Sequence, residues 1–377
     1  MKVGVNLLWL RPGVVGGSEE YLVRQLLGLA ELAAADVEGV TVFGLASLRV
    51  AHPELAGRFE VVDAPVDGAS RFRRVVAEST WLAGEVRRRR LDVVHHGGGT
   101  LPAHLGPTRT GAAHTVLTVH DLQVHTFPEF FSPLKRAYLK AGLPRSVRRA
   151  DIVCVPSAFV AGTVRDTYGT PAAKLVVVPH GLPATPSAPP TDEATLRARY
   201  GLPERFVVFP AITHPHKDHL TLLRAVAQVS GLGVVLLGGR GRAEADVVAE
   251  IARLGLGDRV VRPGRIPDAD RDGCYRAAVA LAFPSRYEGF GAPVLEAMAL
   301  GCPVVAADAT ALPEVVGDAG LLVTPGDVSA WRDALAGLAD DGAERARLAA
   351  AGIARARHFT ATVTAQALLS AYRGVLR

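Results

Sequence analysis

The stretch Arg286-Tyr287-Glu288-Gly289-Phe290-Gly291-Ala292-Pro293-Val294-Leu295-Glu296-Ala297-Met298-Ala299-Leu300-Gly301-Cys302-Pro303 reads as a glycine-rich turn that opens a short helix. Pro293 suits a first helical position, where its missing N–H has no partner anyway, and Gly301 and Pro303 stop the helix about two turns later. The start of such a helix presents unpaired N–H groups and the positive end of the macrodipole, which favour an anion, above all a phosphate. Gly289 and Gly291 would let a ligand come close to the backbone. Glu288 and Glu296, eight positions apart, would repel that anion unless they face another part of the ligand. They are therefore read as acceptors for hydroxyls, as an acidic residue is for ribose in dinucleotide folds. A ligand with phosphate in its middle and hydroxyls at both ends is a nucleotide sugar. On spacing alone a plainer reading stands beside this one: Glu296 as an ordinary first-turn glutamate and the glycines as a turn.

Outward from this stretch, short apolar runs alternate with helical ones. In the first half they are Lys2 to Leu8, Val40 to Leu45, Phe59 to Ala64, Leu91 to His95, Thr115 to His120, Asp151 to Pro156 and Lys174 to Pro179. The second half repeats the pattern with Arg205 to Pro210, Gly233 to Leu237, Arg259 to Val261, Val279 to Pro284, Pro303 to Ala307 and Leu321 to Thr324. Continuous apolar strands separated by helices predict parallel sheets covered on both faces. Between the halves, Pro183-Ala184-Thr185-Pro186-Ser187-Ala188-Pro189-Pro190 is poor helix and poor strand, and reads as a linker. The expectation is an α/β chain of two doubly wound, Rossmann-like domains facing a central cleft, with ligands at the carboxyl ends of the strands.

The opening stretch, continued through Pro303-Val304-Val305-Ala306-Ala307-Asp308 and Leu312-Pro313-Glu314-Val315-Val316-Gly317, resembles the E-x7-E signature of the retaining GT-B glycosyltransferases of family GT4. The resemblance implies that Glu288 orients the donor sugar and Glu296 the ribose, with retention by attack on the face from which the leaving group departs. It also implies a final helix that crosses back to the first domain. The expected division is thus an acceptor-binding domain over 1–183, a linker over 184–200, a nucleotide-sugar domain over 201–357 and a returning helix over 358–377.

Other positions acquire roles in that frame. Gly13-Val14-Val15-Gly16-Gly17-Ser18-Glu19 joins a strand to a helix without the G-x-G-x-x-G spacing; Gly16 and Gly17 are donor- or acceptor-contact candidates, or simply a turn. His120, after the strand Thr115 to Val119, resembles the family's acceptor-side histidine and would hold a hydroxyl of the transferred sugar; a lone histidine there is otherwise a structural residue. Lys217, in Thr213-His214-Pro215-His216-Lys217-Asp218-His219, resembles the family's phosphate lysine and would neutralise a departing diphosphate. Many relatives place an arginine about six residues earlier, where this chain has Ala211; His214, His216 or Arg286 would have to compensate. The amides of Phe290 and Gly291 join Lys217 in this role. Gly238 and Arg240 border the nucleotide or make a plain turn, and Ser157 and His180 are cleft candidates through the fold alone.

No metal is expected. The three histidines in Thr213 to His219 lack a completing carboxylate or cysteine set. Asp268-Ala269-Asp270-Arg271-Asp272-Gly273 begins like an EF-hand loop, but Val279 stands where the bidentate glutamate belongs, so helix capping is the economical account. Cys154, Cys274 and Cys302 share no metal-like spacing and are expected to be buried free thiols.

With 377 residues, 49% hydrophobic, the chain is long enough for two cores. Its first residues run into Arg11-Pro12-Gly13 without a charged leader or cleavage site, and no run of about twenty apolar residues occurs, so a cytoplasmic enzyme is expected. Residues 1–183 hold 21 Lys and Arg against 16 Asp and Glu, so the whole formal excess of +5 lies in the first half. The clusters Arg71/Arg73/Arg74, Arg87 to Arg90, and Lys135/Arg136/Lys140/Arg145/Arg148/Arg149 are solvated helix faces, or a dock for anionic lipid at the inner membrane face or for an acidic acceptor. No aromatic-basic interleaving points to nucleic acid.

The combined reading is a retaining, metal-independent hexosyltransferase acting on a nucleoside diphosphate sugar and an acceptor hydroxyl. GDP-mannose is the first donor, because the wording from Phe209 to His219 resembles bacterial mannosyltransferases of the family, and a UDP-hexose is the alternative. The rivals are an epimerase or a phosphorylase on the same scaffold, the latter needing a pyridoxal lysine and a longer chain, and a sugar-nucleotide sensor without turnover.

Overall fold

The computed structural model of the chain describes all residues except 15, 33, 35, 103–112, 184–187 and 377. It divides into two compact units, Met1–Pro183 with Phe359–Arg377, and Ala184–His358. Within the expected linker, residues 184–187 lie outside the described residues. Residues 193–200 correct that expectation, because they form a helix of the second unit, Glu193–Tyr200. Asp192 caps it by accepting from the Thr195 amide, and Leu196 is fully buried. Asp270, read above only as part of a helix cap, anchors the same segment by accepting from the Thr191 hydroxyl at 2.6 Å and pairing with Arg199 at 2.6 Å.

The first unit is a sheet of β1 (Lys2–Asn6), β2 (Gly39–Gly44), β3 (Glu60–Asp63), β4 (Val93–His96), β5 (His114–Thr118), β6 (Ile152–Val155) and β7 (Leu175–Val177). All neighbours pair in parallel, in the order β3-β2-β1-β4-β5-β6-β7. The second holds β8 (Arg205–Pro210), β9 (Leu232–Leu237), β10 (Val260–Gly264), β11 (Ala280–Phe283), β12 (Val304–Ala307) and β13 (Leu321–Val323), in the order β10-β9-β8-β11-β12-β13. Strands such as Val93–His96 and Ala280–Phe283 are buried at every position, which is why they read as unbroken apolar runs. In each sheet the chain winds one way from its first strand and then returns to add strands on the other side. The switch points therefore fall between β1 and β4 and between β8 and β11, where open α/β sheets collect ligands.

The C-terminal helix Ala361–Gly374 belongs to the first unit, where it packs against the helix Gly17–Glu31. Thr360 caps it, the Thr364 hydroxyl donates to the Pro179 carbonyl at 3.0 Å, and the buried Tyr372 hydroxyl meets His95 Nδ1 at 2.9 Å. The two helices approach through Gly28, where an added Cβ would stand 2.7 Å from the Ala361 carbonyl oxygen. Gly28→Ala is therefore expected to destabilise this unit by roughly 1–3 kcal/mol through overpacking. Gly84→Ala, in an open position of the helix Trp81–Arg89, should be neutral or stabilising. Urea midpoints of the two variants check this; equal midpoints would mean that the helix pair gives way freely.

All three cysteines are free and buried, and burial pushes each thiol up to about 12. Among the described residues no helix is long and apolar enough to cross a membrane.

Candidate functional site

The second unit assembles its site where β8 and β11 end. After β8 the chain makes a short turn, Pro215–Lys217, and Asp218 takes a left-handed conformation before the helix His219–Ala227. After β11 the loop bonds to that turn: the Arg286 amide donates to the His216 carbonyl at 2.8 Å, and Arg286 Nε to Asp218 Oδ2 at 2.8 Å. This stitching places Lys217 Nζ 2.6 Å from Glu288 Oε1, with the two side chains 19% and 14% exposed. The ammonium also lies 5.7 Å from the centre of the Phe283 ring. Two residues separated by 71 positions thus form a shielded ion pair at the switch point.

The Glu288 amide donates to the Thr310 hydroxyl at 3.0 Å. Thr310 follows β12 with φ of +56°, a left-handed conformation that costs a β-branched residue about 1–3 kcal/mol and that gathers at functional sites. Gly291, with φ of +99°, precedes the helix Ala292–Ala299, which opens one residue earlier than expected, so that Pro293 is its second residue. A Cβ on Gly291 would meet Leu312 at 2.6 Å, so the fold alone requires glycine there. Phe290 buries its ring, leaving its backbone as the part that can serve a ligand. Gly289 lies between Glu288 and Phe290 in the same loop.

Glu296 stands 4.0 Å from Arg271 Nε. Arg271 donates to Asp268 at 2.9 Å and to Asp272 at 2.9 Å. Burial lowers its affinity for its proton, but Glu296, Tyr275 and the two aspartates outweigh that and hold it charged.

The loop after β9 folds onto the loop after β8. Gly238 has φ of +125°, and its Cβ would stand 2.7 Å from the Ala211 carbonyl oxygen, so this glycine serves loop packing. Arg240 is 88% exposed and 3.7 Å from Glu244. Of the candidates to replace a cation at Ala211, burial drives His216 down to about 3, which leaves it neutral. His214 stacks on it at 5.8 Å, and Arg286 carries a standing positive charge.

In the first unit, Gly16 has φ of +73° ahead of the helix Gly17–Glu31. Neither Gly16 nor Gly17 would crowd a neighbour with an added Cβ. Gly17 is thus a glycine the fold does not demand. Glu19 ties the loop down, accepting from the Gly13 amide at 2.8 Å and meeting His52 at 2.8 Å. His120 Nε2 donates to the Gly97 carbonyl at 2.7 Å, so Nδ1 is the acceptor nitrogen. Burial lowers its pKa, and its ring rests against Tyr21 at 5.5 Å and Trp9 at 5.8 Å. His180 packs against Tyr21 with ring centres 4.4 Å apart and tilted planes, and is likewise held neutral by burial. Ser157 is buried and caps the helix Ala158–Tyr168 by accepting from the Val160 amide.

Sequence reasoning missed Arg271, Thr310 and a polar group at the first switch point. There Asn6 Nδ2 donates to His96 Nδ1 at 3.1 Å, Arg74 donates to the Trp9 carbonyl at 2.8 Å, and burial pushes Glu78 up to about 7. Its visible signal is His95-His96-Gly97-Gly98-Gly99 at the end of β4. Among the described residues no cluster of three or more His, Cys, Asp or Glu is arranged to hold a metal ion.

Two doubly wound parallel sheets, one of them with an ion pair and a glycine-opened helix at its switch point, define a two-unit α/β architecture. The Anabaena protein HepE, solved with UDP and glucose, matches it with a TM-score of 0.73 at 23% identity, covering 98% of each chain, so the fold is GT-B. Residues 204–341 match the model described as glycosyl transferases group 1, and residues 15–185 that of glycosyltransferase family 4. The O-antigen chain mannosyltransferase B of Escherichia coli is 30% identical over 290 residues, 75% of this chain and 74% of that protein. The D-inositol 3-phosphate glycosyltransferase of Kineococcus radiotolerans is 37% identical over 232 residues, 55% of this chain and 53% of its own. The chain belongs to the group 1, family 4 glycosyltransferases. It spans 53% and 65% of the lengths of two of its inositol phosphate glycosyltransferase relatives.

Proposed function

We propose that the protein transfers a hexose from a nucleoside diphosphate sugar to an acceptor hydroxyl, with retention and without a metal. The observation that carries this is the Lys217–Glu288 pair, 2.6 Å apart at the switch point of the second sheet. A cation for the diphosphate and a carboxylate for sugar hydroxyls stand side by side. Donor binding breaks the pair: the ammonium turns to the phosphate oxygens, where charge grows as the glycosidic bond breaks, and Glu288 accepts from the hexose. The Phe290 and Gly291 amides and the start of the helix Ala292–Ala299 add to that stabilisation. Glu296, steadied by Arg271, accepts from the ribose hydroxyls. Gly238 and Arg240 border the nucleotide. Gly16, Gly17 and the neutral His120, whose Nδ1 accepts from a hydroxyl, serve the sugar and acceptor side. No covalent glycosyl-enzyme is invoked, unlike the two-carboxylate scheme of retaining glycosidases.

GDP-mannose is the preferred donor, in keeping with the mannosyltransferase name of the Escherichia coli relative. A UDP-hexose is the second, since HepE was solved with UDP-glucose. The enzyme is placed in the cytoplasm. Calorimetry with free GDP and UDP, in excess chelator and again with a divalent ion added, tests the site and ranks the bases. Glu296→Ala is expected to weaken nucleotide binding about ten- to a hundredfold, the 1.5–3 kcal/mol of a charged hydrogen bond, in a folded protein. Unchanged affinity would remove Glu296 from the ribose, and binding that needs a divalent ion would overturn the metal-free reading. An altered sugar recovered from donor alone would favour an epimerase instead.

A further inference from the structure

We infer that His52 is a positioning residue for glycosyl transfer: as an imidazolium held between Glu19 and Glu54, it fixes the glycine turn of the first unit in the pose that serves substrate. The inference rests on the reading that Gly16 and Gly17 serve the sugar and acceptor side. His52 stands at the corner between the short helices Ala46–Ala51 and Pro53–Ala56, where its amide donates to the Leu48 carbonyl at 2.8 Å and its carbonyl accepts from the Leu55 amide at 3.1 Å. Leu48 and Leu55 are fully buried, so the corner is anchored in the core. From there Nε2 of the ring reaches Glu19 Oε1 at 2.8 Å, and Nδ1 reaches Glu54 Oε1 at 2.9 Å. The His52 and Glu19 side chains are each only 10% exposed. Glu19 in turn holds the turn from two sides: its Oε2 accepts from the Gly13 amide at 2.8 Å, and its own amide donates to the Gly16 carbonyl at 3.0 Å.

The two carboxylates decide the charge of the ring. A neutral imidazole has one N–H, so it donates to one carboxylate while its other nitrogen points a lone pair at the second; only the imidazolium donates to both. Burial opposes that charge, but the bonds to Glu19 and Glu54 outweigh it and raise the pKa of the ring above its ordinary value. Glu19 faces the ring from the helix Gly17–Glu31 and Glu54 from Pro53–Ala56. Of the charges beside them in sequence, Glu20 pairs with Arg24 at 3.3 Å and Arg49 with Asp63 at 3.3 Å. As pH rises through the raised pKa the ring loses its second proton, and Glu19 becomes a shielded carboxylate without its counter-charge, which drives it to turn toward water. Turning away releases the Gly13 amide, and with it the turn. An added Cβ on Gly16 or Gly17 would meet nothing within 4 Å, so side-chain packing does not hold the turn at those positions. The tether is therefore present at acid and neutral pH and lost in alkali.

Hydrogen exchange of the full chain, read by mass spectrometry on the peptide that holds Gly13, tests the tether without any substrate. Its protection, corrected for intrinsic exchange, is expected to fall about ten- to a hundredfold between about pH 6 and about pH 8.5. Glu19→Gln keeps the shape and suits the neutral ring: the new amide oxygen accepts from Gly13, its N–H donates to His52 Nε2, and His52 Nδ1 donates to Glu54. This variant should stay protected at about pH 8.5, whereas Glu19→Ala should be unprotected at both values. Kinetics of nucleotide release from GDP-mannose and from UDP-glucose tests the consequence. Over the same range the native KM should rise about tenfold relative to that of Glu19→Gln, with kcat little changed. A tie that is only structural would move the exchange and not KM. Protection that stays level across pH in the native chain, or that Glu19→Ala leaves intact, would overturn the tether, and a KM that follows neither pH nor the variants would overturn the positioning role. Turnover of neither sugar nucleotide would count against the donor assignment, which nucleotide calorimetry tests separately, and the exchange result would then decide the inference.

Discussion

Lys217→Ala is expected to cut turnover about a hundred- to a thousandfold, the effect of removing one preorganised charge donor from a leaving group, while donor affinity falls much less. Charge on the diphosphate oxygens is greatest as the glycosidic bond breaks, so an ammonium aimed there lowers the barrier more than it tightens the ground state. The ion pair with Glu288 complicates a single substitution. Removing the lysine leaves a carboxylate that is only 14% exposed without its counter-charge, next to the place the diphosphate would occupy. The double variant Lys217→Ala/Glu288→Gln separates the two causes. If the lost rate came from a stray negative charge, the double variant should turn over as fast as Glu288→Gln alone; if it came from the missing cation, it should be slower than Glu288→Gln by about the same hundred- to a thousandfold. Steady-state kinetics on all three proteins decides, and a rise in KM with kcat unchanged would remove Lys217 from the departing phosphate.

That pair also marks where the sequence ceased to be legible. Both partners were recognisable singly, Lys217 from its place after a strand and Glu288 from the glycine-rich turn, because each lies in a local pattern of strand, loop and helix. Their contact was not, since it depends on β8 and β11 being neighbours in the sheet, a consequence of the winding order rather than of any one segment. Arg271 was hidden for the same reason: within its own segment it belongs to an acidic run, and only the fold turns it toward Glu296, 25 positions later. Thr310 gave no signal at all, because the strain is in a backbone angle that no residue type announces for threonine.

The strands were legible because burial on both faces demands apolar residues at every position, and all of the expected runs became strands with small shifts at their ends. Composition misled only where a proline-rich segment met a good helix cap. Pro189-Pro190 suggested a linker that continued, whereas Asp192 and the buried Leu196 begin a helix two residues later. Gly238 and Gly291 teach the opposite caution. Each was read through a ligand, yet each is already required by a neighbouring loop or side chain, so their presence does not by itself distinguish a binding loop from a packed one.

The second large effect concerns acid. From His95, His96, His216, His219 and Glu78 alone, unfolding is expected to take up about three protons near pH 5.5, so that their share of the stability falls by roughly 4 kcal/mol for each pH unit there, and the buried His120 and His180, also lowered, steepen it further. Burial lowers His95, His96 and His216 to about 3 and His219 to about 4. These rings are neutral in the folded protein, and each regains an ordinary affinity near 6.5 on unfolding. Their stabilisation is therefore fully present above pH 6.5 and is lost as pH falls toward their folded values. Glu78 runs the other way. With its carboxyl pushed up to about 7 by burial, it favours the folded state at low pH and ceases to do so as pH rises through 7, offsetting one of the four histidine protons. Chemical denaturation at pH 7.5, 6.5 and 5.5 measures the slope, and two variants assign it. His219→Phe, where the ring packs on Phe209 at 4.6 Å, should flatten the dependence by one proton. Glu78→Gln should steepen it by one and stabilise the protein above pH 7. A stability that stays level from pH 7.5 to 5.5, or a slope that neither variant changes, would mean that these side chains reach water and titrate as they do in the unfolded chain.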